Sequence, residues 1–313
     1  MANAATRREI LAGLAAAGLA RRATGDGPWA VPATETGRTV LLRDTPLARF
    51  SAGESGIHRP FLSHVQTTDR RQVTRTHPPA AGVDAVDHAD MHPGIWMAFG
   101  DLSGSDFWRN KSRIRVSELQ SSADERGVRL AYTGAYLDPA GNAVCSERAA
   151  LEFREAEAGW RVDFTSRFTA PNDFWFGDQE EMGLGVRLAT PLTGKNGGII
   201  LNSAGGRGET GTWGKTADWC AYAGALQGRR IGAVIIPHSF NFRPSWFHTR
   251  EYGLMVANPF GRAAFTKGQP SRLEVAAGAV FELRYRLHVF SLVGDDDAIK
   301  RLAVKSRMAY LDE

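Results

Sequence analysis

Histidine is unevenly distributed along the chain, and its clusters are the first candidates for chemistry. Five of the eight histidines lie between residues 58 and 92. Within that span, residues 87–94 read Asp-His-Ala-Asp-Met-His-Pro-Gly, which places two imidazoles and two carboxylates close together. His88 and His92 have the spacing of many helical metal sites. Because the Pro-Gly pair that follows would end a helix at once, we expect a loop that leads into a strand.

This histidine loop has two interpretations. A metal site would need His88, His92 and a third ligand, for which His64 and His238 are the candidates. The alternative is a polar loop that positions the hydroxyl groups of a substrate. Since histidine spacing alone is a weak indicator of a metal, the prediction is that no cofactor is required, with a metal ion left open.

A second group of polar and aromatic residues occupies positions 246–252, which read as a strand. Side chains alternate along a strand, so Trp246, His248, Arg250 and Tyr252 are expected on one face and Phe247 on the other. Trp stacks on sugar rings, Arg pairs with a carboxylate or vicinal oxygens, and His moves protons near neutral pH. The row predicts a polar, ring-shaped ligand. The alternative is an exposed strand face on which Arg stacks on Trp without a function.

Composition excludes several classes of protein. The chain has 313 residues, of which 43% are hydrophobic and 23% charged, as in ordinary globular proteins. No apolar run approaches the roughly 20 residues of a membrane-spanning helix. The net charge of +4 is spread along the chain rather than clustered, which does not favour a nucleic-acid surface. Two cysteines cannot build a disulfide framework.

The N-terminus has the form of an export signal. Arg7 and Arg8 precede a short apolar run from Ile10 to Ala20, which is typical of the twin-arginine route. We therefore predict a signal peptide over residues 1–20 and a periplasmic or extracellular protein. Cys145 and Cys220 could pair in that compartment, although two separate buried thiols are the default expectation.

Short strand-like runs separated by turn signals continue along the rest of the chain, and one helix is predicted from Ala298 to about Leu311. The 34 Gly, 14 Pro and 30 aromatic residues also favour a turn-rich β protein. The pattern predicts a large antiparallel β-sandwich with a C-terminal helix, in which residues 21–57 supply the first strands and 58–313 the remainder of a single domain. The predicted strands are 38–42, 60–66, 95–99, 112–119, 128–137, 143–155, 160–168, 185–190, 198–202, 219–223, 231–237, 246–257 and 280–290.

Several motifs together resemble a known bacterial family. They are Phe-Leu-Ser-His at 61–64, the histidine loop with Ile-Trp at 95–96, Gly-Ser-Asp-Phe-Trp at 104–108, Trp-Cys-Ala-Tyr at 219–222, and 246–261, which ends in Ala-Asn-Pro-Phe-Gly. In this order they resemble the family catalogued as methane oxygenase PmoA, over residues 58–262. That family's loop usually reads Asp-His-Pro-His-His, whereas Ala89 and Asp90 take the middle positions here. The resemblance implies a secreted β-sandwich similar to galactose mutarotase.

The sequence thus predicts an exported carbohydrate-active protein, either a glycoside hydrolase or a polysaccharide lyase. A non-catalytic glycan-binding protein is the alternative, and a metal-dependent oxidase or oxygenase is the second. The expected catalytic residues are His248 as general acid or base, Arg250, Tyr252 and His88. The expected substrate-binding residues are Trp246, His64, His92, His238 and Asn258.

Overall fold

The computed structural model describes residues 27–54 and 56–313, and most of them form two large antiparallel sheets. The predicted fold class, a mainly β sandwich with a C-terminal helix, is confirmed. The predicted signal peptide lies outside the described residues. Among the described residues, no helix has the length and apolar character needed to cross a membrane.

The first sheet has nine strands in the order β1-β2-β3-β4-β5-β11-β17-β16-β13. The first five strands of the chain are neighbours in this sheet, and the other four come from later segments of the chain. Its strands are β1 (Trp29–Ala30), β2 (Gly37–Leu42), β3 (Thr45–Ser51), β4 (Phe61–Ser63), β5 (Ile95–Phe99), β11 (Met182–Arg187), β13 (Lys215–Thr216), β16 (Trp246–Arg250) and β17 (Leu254–Asn258).

The second sheet has eight strands in the order β12-β14-β15-β19-β9-β8-β7-β6. Its strands are β6 (Arg113–Ala123), β7 (Val128–Leu137), β8 (Ala143–Ala156), β9 (Gly159–Thr169), β12 (Ile199–Asn202), β14 (Cys220–Leu226), β15 (Arg229–Pro237) and β19 (Phe281–Leu292). A small pair joins β10 (Phe174–Phe176) to β18 (Leu273–Val275). The helices are α1 (Gly208–Thr212), α2 (Arg262–Thr266) and α3 (Asp296–Leu311).

Alternation along the strands produces the layers. Phe247, Met255 and Val186 point between the sheets, where the inner faces form the main core. The outer face of the second sheet packs against α3, whose N-cap Asp295 accepts a hydrogen bond from the amide of Ala298. Cys145 and Cys220 are separate buried thiols.

One predicted strand, 246–257, is a hairpin. Residues 251–253 form a turn between β16 and β17, and Gly253 has a φ of +105° that favours glycine. Trp246, His248 and Arg250 therefore alternate along β16 as predicted, but Tyr252 lies in the turn. The short strands β1, β10, β13 and β18 were missed because such short segments carry no periodicity. The seven-residue β3 was missed as well.

Candidate functional site

The outer face of the nine-stranded sheet carries most of the polar and aromatic residues that sequence reasoning singled out. Register places Trp96, Gly185, Val256 and His248 side by side across β5, β11, β17 and β16. Three strand spacings separate the first from the last, or about 14 Å. This row connects an aromatic half, around Trp96, to a charged half, around His248.

A stack of parallel rings builds the aromatic half. Trp96 lies against Gly185, where a Cβ atom would come within 2.8 Å of the indole, so glycine is required beneath it. The ring of His92 stacks on Trp96 with centroids 5.1 Å apart, and the ring of His88 stacks on His92 at 5.1 Å. Tyr252 lies nearly parallel to His88 at 5.6 Å. We call His88, His92, Trp96 and Tyr252 the ring stack.

The histidine loop is a loop, as predicted, that makes one helical turn. The amide of His92 donates to the carbonyl of His88 at 2.9 Å, and this turn brings the two rings face to face. Buried Arg75 donates to the carbonyls of His88 and His92, and Arg187 donates to the Asp87 carboxylate at 2.8 Å. Two buried guanidinium groups therefore hold the loop against the sheet.

Arg250 is the centre of the charged half. Its Nη2 atom lies 3.1 Å from the Glu180 carboxylate, and its Nη1 atom lies 3.2 Å from that of Glu209. Its guanidinium also lies over the ring of Trp213, 5.4 Å from the centroid. Glu180 belongs to the loop before β11 and Glu209 to α1, so one arginine connects two separate segments. We call Glu180, Glu209, His248 and Arg250 the charged cluster.

His248 contributes a neutral imidazole to the charged cluster. Burial, together with the nearby charge of Arg250, lowers the pKa of His248 to about 3. Its Nδ1 lies 3.3 Å from the carbonyl oxygen of Glu180, and because a carbonyl only accepts, Nδ1 carries the proton. Nε2 is then an acceptor, and it lies 3.5 Å from the Glu180 carboxylate.

The carboxyl group of Glu180 faces this acceptor nitrogen, and its pKa is raised above the usual value. Burial raises the pKa of Glu180, the charge of Arg250 lowers it, and Glu181 raises it further. The raised pKa brings Glu180 closer to the protonated state that a general acid needs.

The remaining predicted residues lie in different places. Trp246 is half-buried at the margin of the same face, with its ring 6.5 Å from that of Phe265. Asn258 is fully buried and donates to the carbonyls of Gln179 and Glu180, so it holds the loop that carries Glu180. These contacts make Asn258 a positioning residue for Glu180.

Two of the predicted histidines do not join the ring stack or the charged cluster. His64 is exposed after β4 and contacts the hydroxyl of Ser63 at 3.0 Å. His238 packs against Tyr310 of α3 on the second sheet, with ring centroids 4.8 Å apart. Among residues 27–54 and 56–313, no group of three or more His, Cys, Asp or Glu side chains is arranged to hold a metal ion.

Sequence reasoning missed Glu180, Glu209 and Trp213. Each lies in a loop or a five-residue helix, where periodicity does not indicate which way a side chain points. The acidic pair Glu180-Glu181, placed between two aromatic-rich segments, was the only local signal for part of the charged cluster. Glu180, Glu209 and Trp213 all contact Arg250, and these contacts depend on how α1 and the loop before β11 pack.

The chain belongs to a family of unknown function, DUF6807, whose model matches residues 38–304. No curated protein matches it. The resemblance to the methane oxygenase PmoA family remains a prediction, since the matching family model assigns no function.

Solved structures with a similar arrangement are distant. An α-galactosidase from Lactobacillus brevis matches with a TM-score of 0.42 and 10% identity, covering 86% of this chain and 40% of that enzyme. A GalM/aldose epimerase homologue from C. elegans (TM-score 0.31) and a galactose mutarotase related enzyme from Lactobacillus acidophilus (0.30) each share 9% identity, covering 85% of this chain and 99% of theirs. At these scores the matches say nothing about what this chain binds or catalyses.

Proposed function

We propose that this protein is a glycoside hydrolase whose reaction takes place at the charged cluster. Glu180 acts as the general acid and protonates the leaving oxygen of a glycosidic bond. Glu209 is the second carboxylate, which such a reaction needs to activate water or to stabilise the positive charge that develops on the sugar. Arg250 does not contact the substrate but fixes both carboxylates.

One observation carries this proposal. The carboxyl group of Glu180 lies between the acceptor Nε2 of His248 and the guanidinium of Arg250, at 3.5 and 3.1 Å. Burial raises the pKa of Glu180, which lies beside a neutral imidazole, while Glu209, at the other end of the same guanidinium, accepts a hydrogen bond from the amide of Glu251 at 2.8 Å. Two carboxylates in different environments are the usual basis for separate acid and base roles.

The same contacts favour hydrolysis over elimination. A lyase removes a proton next to a sugar carboxylate and needs a cationic group to neutralise that carboxylate. Arg250, the residue predicted to bind it, already contacts Glu180 and Glu209. It is therefore not free to bind a third carboxylate.

Turnover by matched variants tests the proposal. Wild type is expected to release reducing ends from at least one of a panel of neutral polysaccharides. Glu180→Gln should lower kcat by about 10²–10⁴-fold with little change in KM, because it removes the proton but keeps the shape of the side chain. Glu274→Gln, which alters an exposed carboxylate on β18, is the control and should leave kcat unchanged.

The pH profile provides a second readout. Because only protonated Glu180 acts as the acid, kcat is expected to fall as the pH rises through the pKa of that group, which burial has raised. Binding of a polysaccharide without release of reducing ends would contradict hydrolysis and favour the glycan-binding alternative, for which the ring stack offers a flat surface. We also propose that the protein acts outside the cytoplasm, on the basis of Arg7 and Arg8.

A further inference from the structure

The upper layer of the ring stack reaches the protein surface. Trp96 and His92 are almost fully buried, whereas the side chain of His88 remains 42% exposed. Tyr252 is half-buried beside it at nearly the same inclination, with an interplanar angle of 20°. Two nearly parallel rings that pack on two deeper rings form an aromatic surface of the kind on which the C–H face of a sugar stacks.

The deeper side chains carry buried polar atoms without protein partners. Nδ1 of His92 and the indole nitrogens of Trp96 and Trp108 have no hydrogen-bond partner, although all three side chains are more than nine-tenths buried. Trp108 packs edge-on against both His92 and Trp96.

The distribution of charge beside the ring stack argues against an anionic ligand. Arg187 contacts Asp87 and lies under the Tyr252 ring, 4.5 Å from its centroid. Arg59 and Arg75 are fully buried, and both donate to backbone carbonyls. The charge that reaches the surface here is the half-exposed carboxylate of Asp87.

The ring stack and the charged cluster lie side by side. Arg187 and Arg250 are both register neighbours of Leu254, so their Cα atoms are two strand spacings apart, or about 10 Å. A single pyranose ring is shorter than this Cα separation, so we expect a ligand that contacts both places to have at least two sugar units.

We propose that His88 and Tyr252 form a second sugar subsite beside the charged cluster, and that it binds an uncharged pyranose unit. Resting on the proposed function, this makes the substrate a neutral oligosaccharide or polysaccharide, held by stacking at one unit and cleaved next to another. Asp87 disfavours acidic sugars, because its carboxylate is half-exposed whereas Arg59, Arg75 and Arg187 are buried.

Calorimetric binding tests this subsite independently of catalysis. The titrations use Glu180→Gln protein, so that the ligand stays intact, with cellotetraose, xylotetraose, mannotetraose, maltotetraose and tetragalacturonate, and with the monosaccharide unit of each. At least one neutral tetrasaccharide is expected to bind about tenfold or more tightly than its monosaccharide. Adding His88→Ala should remove about tenfold of that gain and leave monosaccharide binding unchanged.

Phe240→Ala is the matched control, because it removes an exposed aromatic ring outside the ring stack. It should leave every Kd unchanged, and the thermal midpoint of each variant shows whether it is folded. Tightest binding by tetragalacturonate, no binding by any neutral tetrasaccharide, or unchanged binding in His88→Ala would each overturn the subsite. Binding that depends on His88 in a protein that cleaves nothing would instead overturn the hydrolase proposal and leave the subsite standing.

Discussion

A buried carboxylic acid in the sandwich core makes stability depend on pH. Glu147 on β8 points between the two sheets, and only 1% of its surface is exposed. The hydroxyl of Tyr136 donates to its Oε2 atom at 3.1 Å, while Oε1 has no partner. The perturbation is Glu147→Gln, which keeps the shape of the side chain and removes its ability to ionise.

The magnitude follows from the acidity of the buried group. Burial raises the pKa of Glu147 from 4.5 to about 7, and the Tyr136 hydrogen bond offsets only part of that effect. A difference of one pKa unit between the folded and unfolded protein corresponds to about 1.4 kcal/mol. The full difference therefore amounts to about 3 kcal/mol in the free energy of unfolding.

The direction of the effect follows from proton binding. Between pH 4.5 and about 7 the folded protein keeps the Glu147 proton and the unfolded chain loses it, so stability falls as the pH rises. Below pH 4.5 the stabilisation is fully present, and above about pH 7 it is lost. Buried His248 and His288, whose pKa values burial lowers to about 3 and about 4, have the opposite effect, since they favour unfolding as the pH falls below 6.5.

Urea unfolding of wild type and variant from pH 4 to pH 8 isolates the effect of Glu147, because the histidines cancel in the difference. Glu147→Gln should match wild type within about 1 kcal/mol at pH 4 and be about 3 kcal/mol more stable at pH 8. The control, Glu125→Gln in an exposed turn, should stay within about 0.5 kcal/mol of wild type throughout. Parallel curves for wild type and Glu147→Gln would refute the reasoning.

Two further outcomes are expected. Phe247→Ala should lower the free energy of unfolding by about 3–5 kcal/mol, because its ring is fully buried between the sheets. Trp246→Ala should lower it by less than about 2 kcal/mol, since Trp246 is half-buried at the margin. The reverse order in urea unfolding would show that the faces of β16 are inverted. Replacing Arg7 and Arg8 by Lys should leave precursor in the cytoplasm on immunoblots of cell fractions, and unchanged export would contradict the twin-arginine prediction.

Much of the fold could be predicted from local sequence. Val128–Leu137 and Ile95–Phe99 have the predicted bounds, and α3 begins two residues before its predicted start. Period-two alternation correctly placed Phe247 in the core and His248 on the outer face. These features depend on contacts between residues close in the chain or on one repeating pattern, which a single sequence displays directly.

The candidate site was predicted only in part. His88 and His92 lie close to two carboxylates in residues 87–94 and could be recognised as a cluster, whereas Trp96 was predicted only as part of a strand. The turn between β16 and β17 brings the ring of Tyr252 next to His88 and His92. The sequence did not reveal this turn, because aromatic and polar residues continue across it without a clear turn signal.

Local sequence patterns were sufficient to predict most of the long strands, the C-terminal helix, the outward face of β16 and the composition of the histidine loop. Local patterns did not reveal that Arg250 contacts Glu180 and Glu209, or that His238 lies against α3; these contacts are visible only in the folded structure. The physical reason is that a strand or helix is specified by neighbouring residues. The meeting of side chains 41 and 70 positions apart depends instead on sheet register and on loops with no repeating pattern.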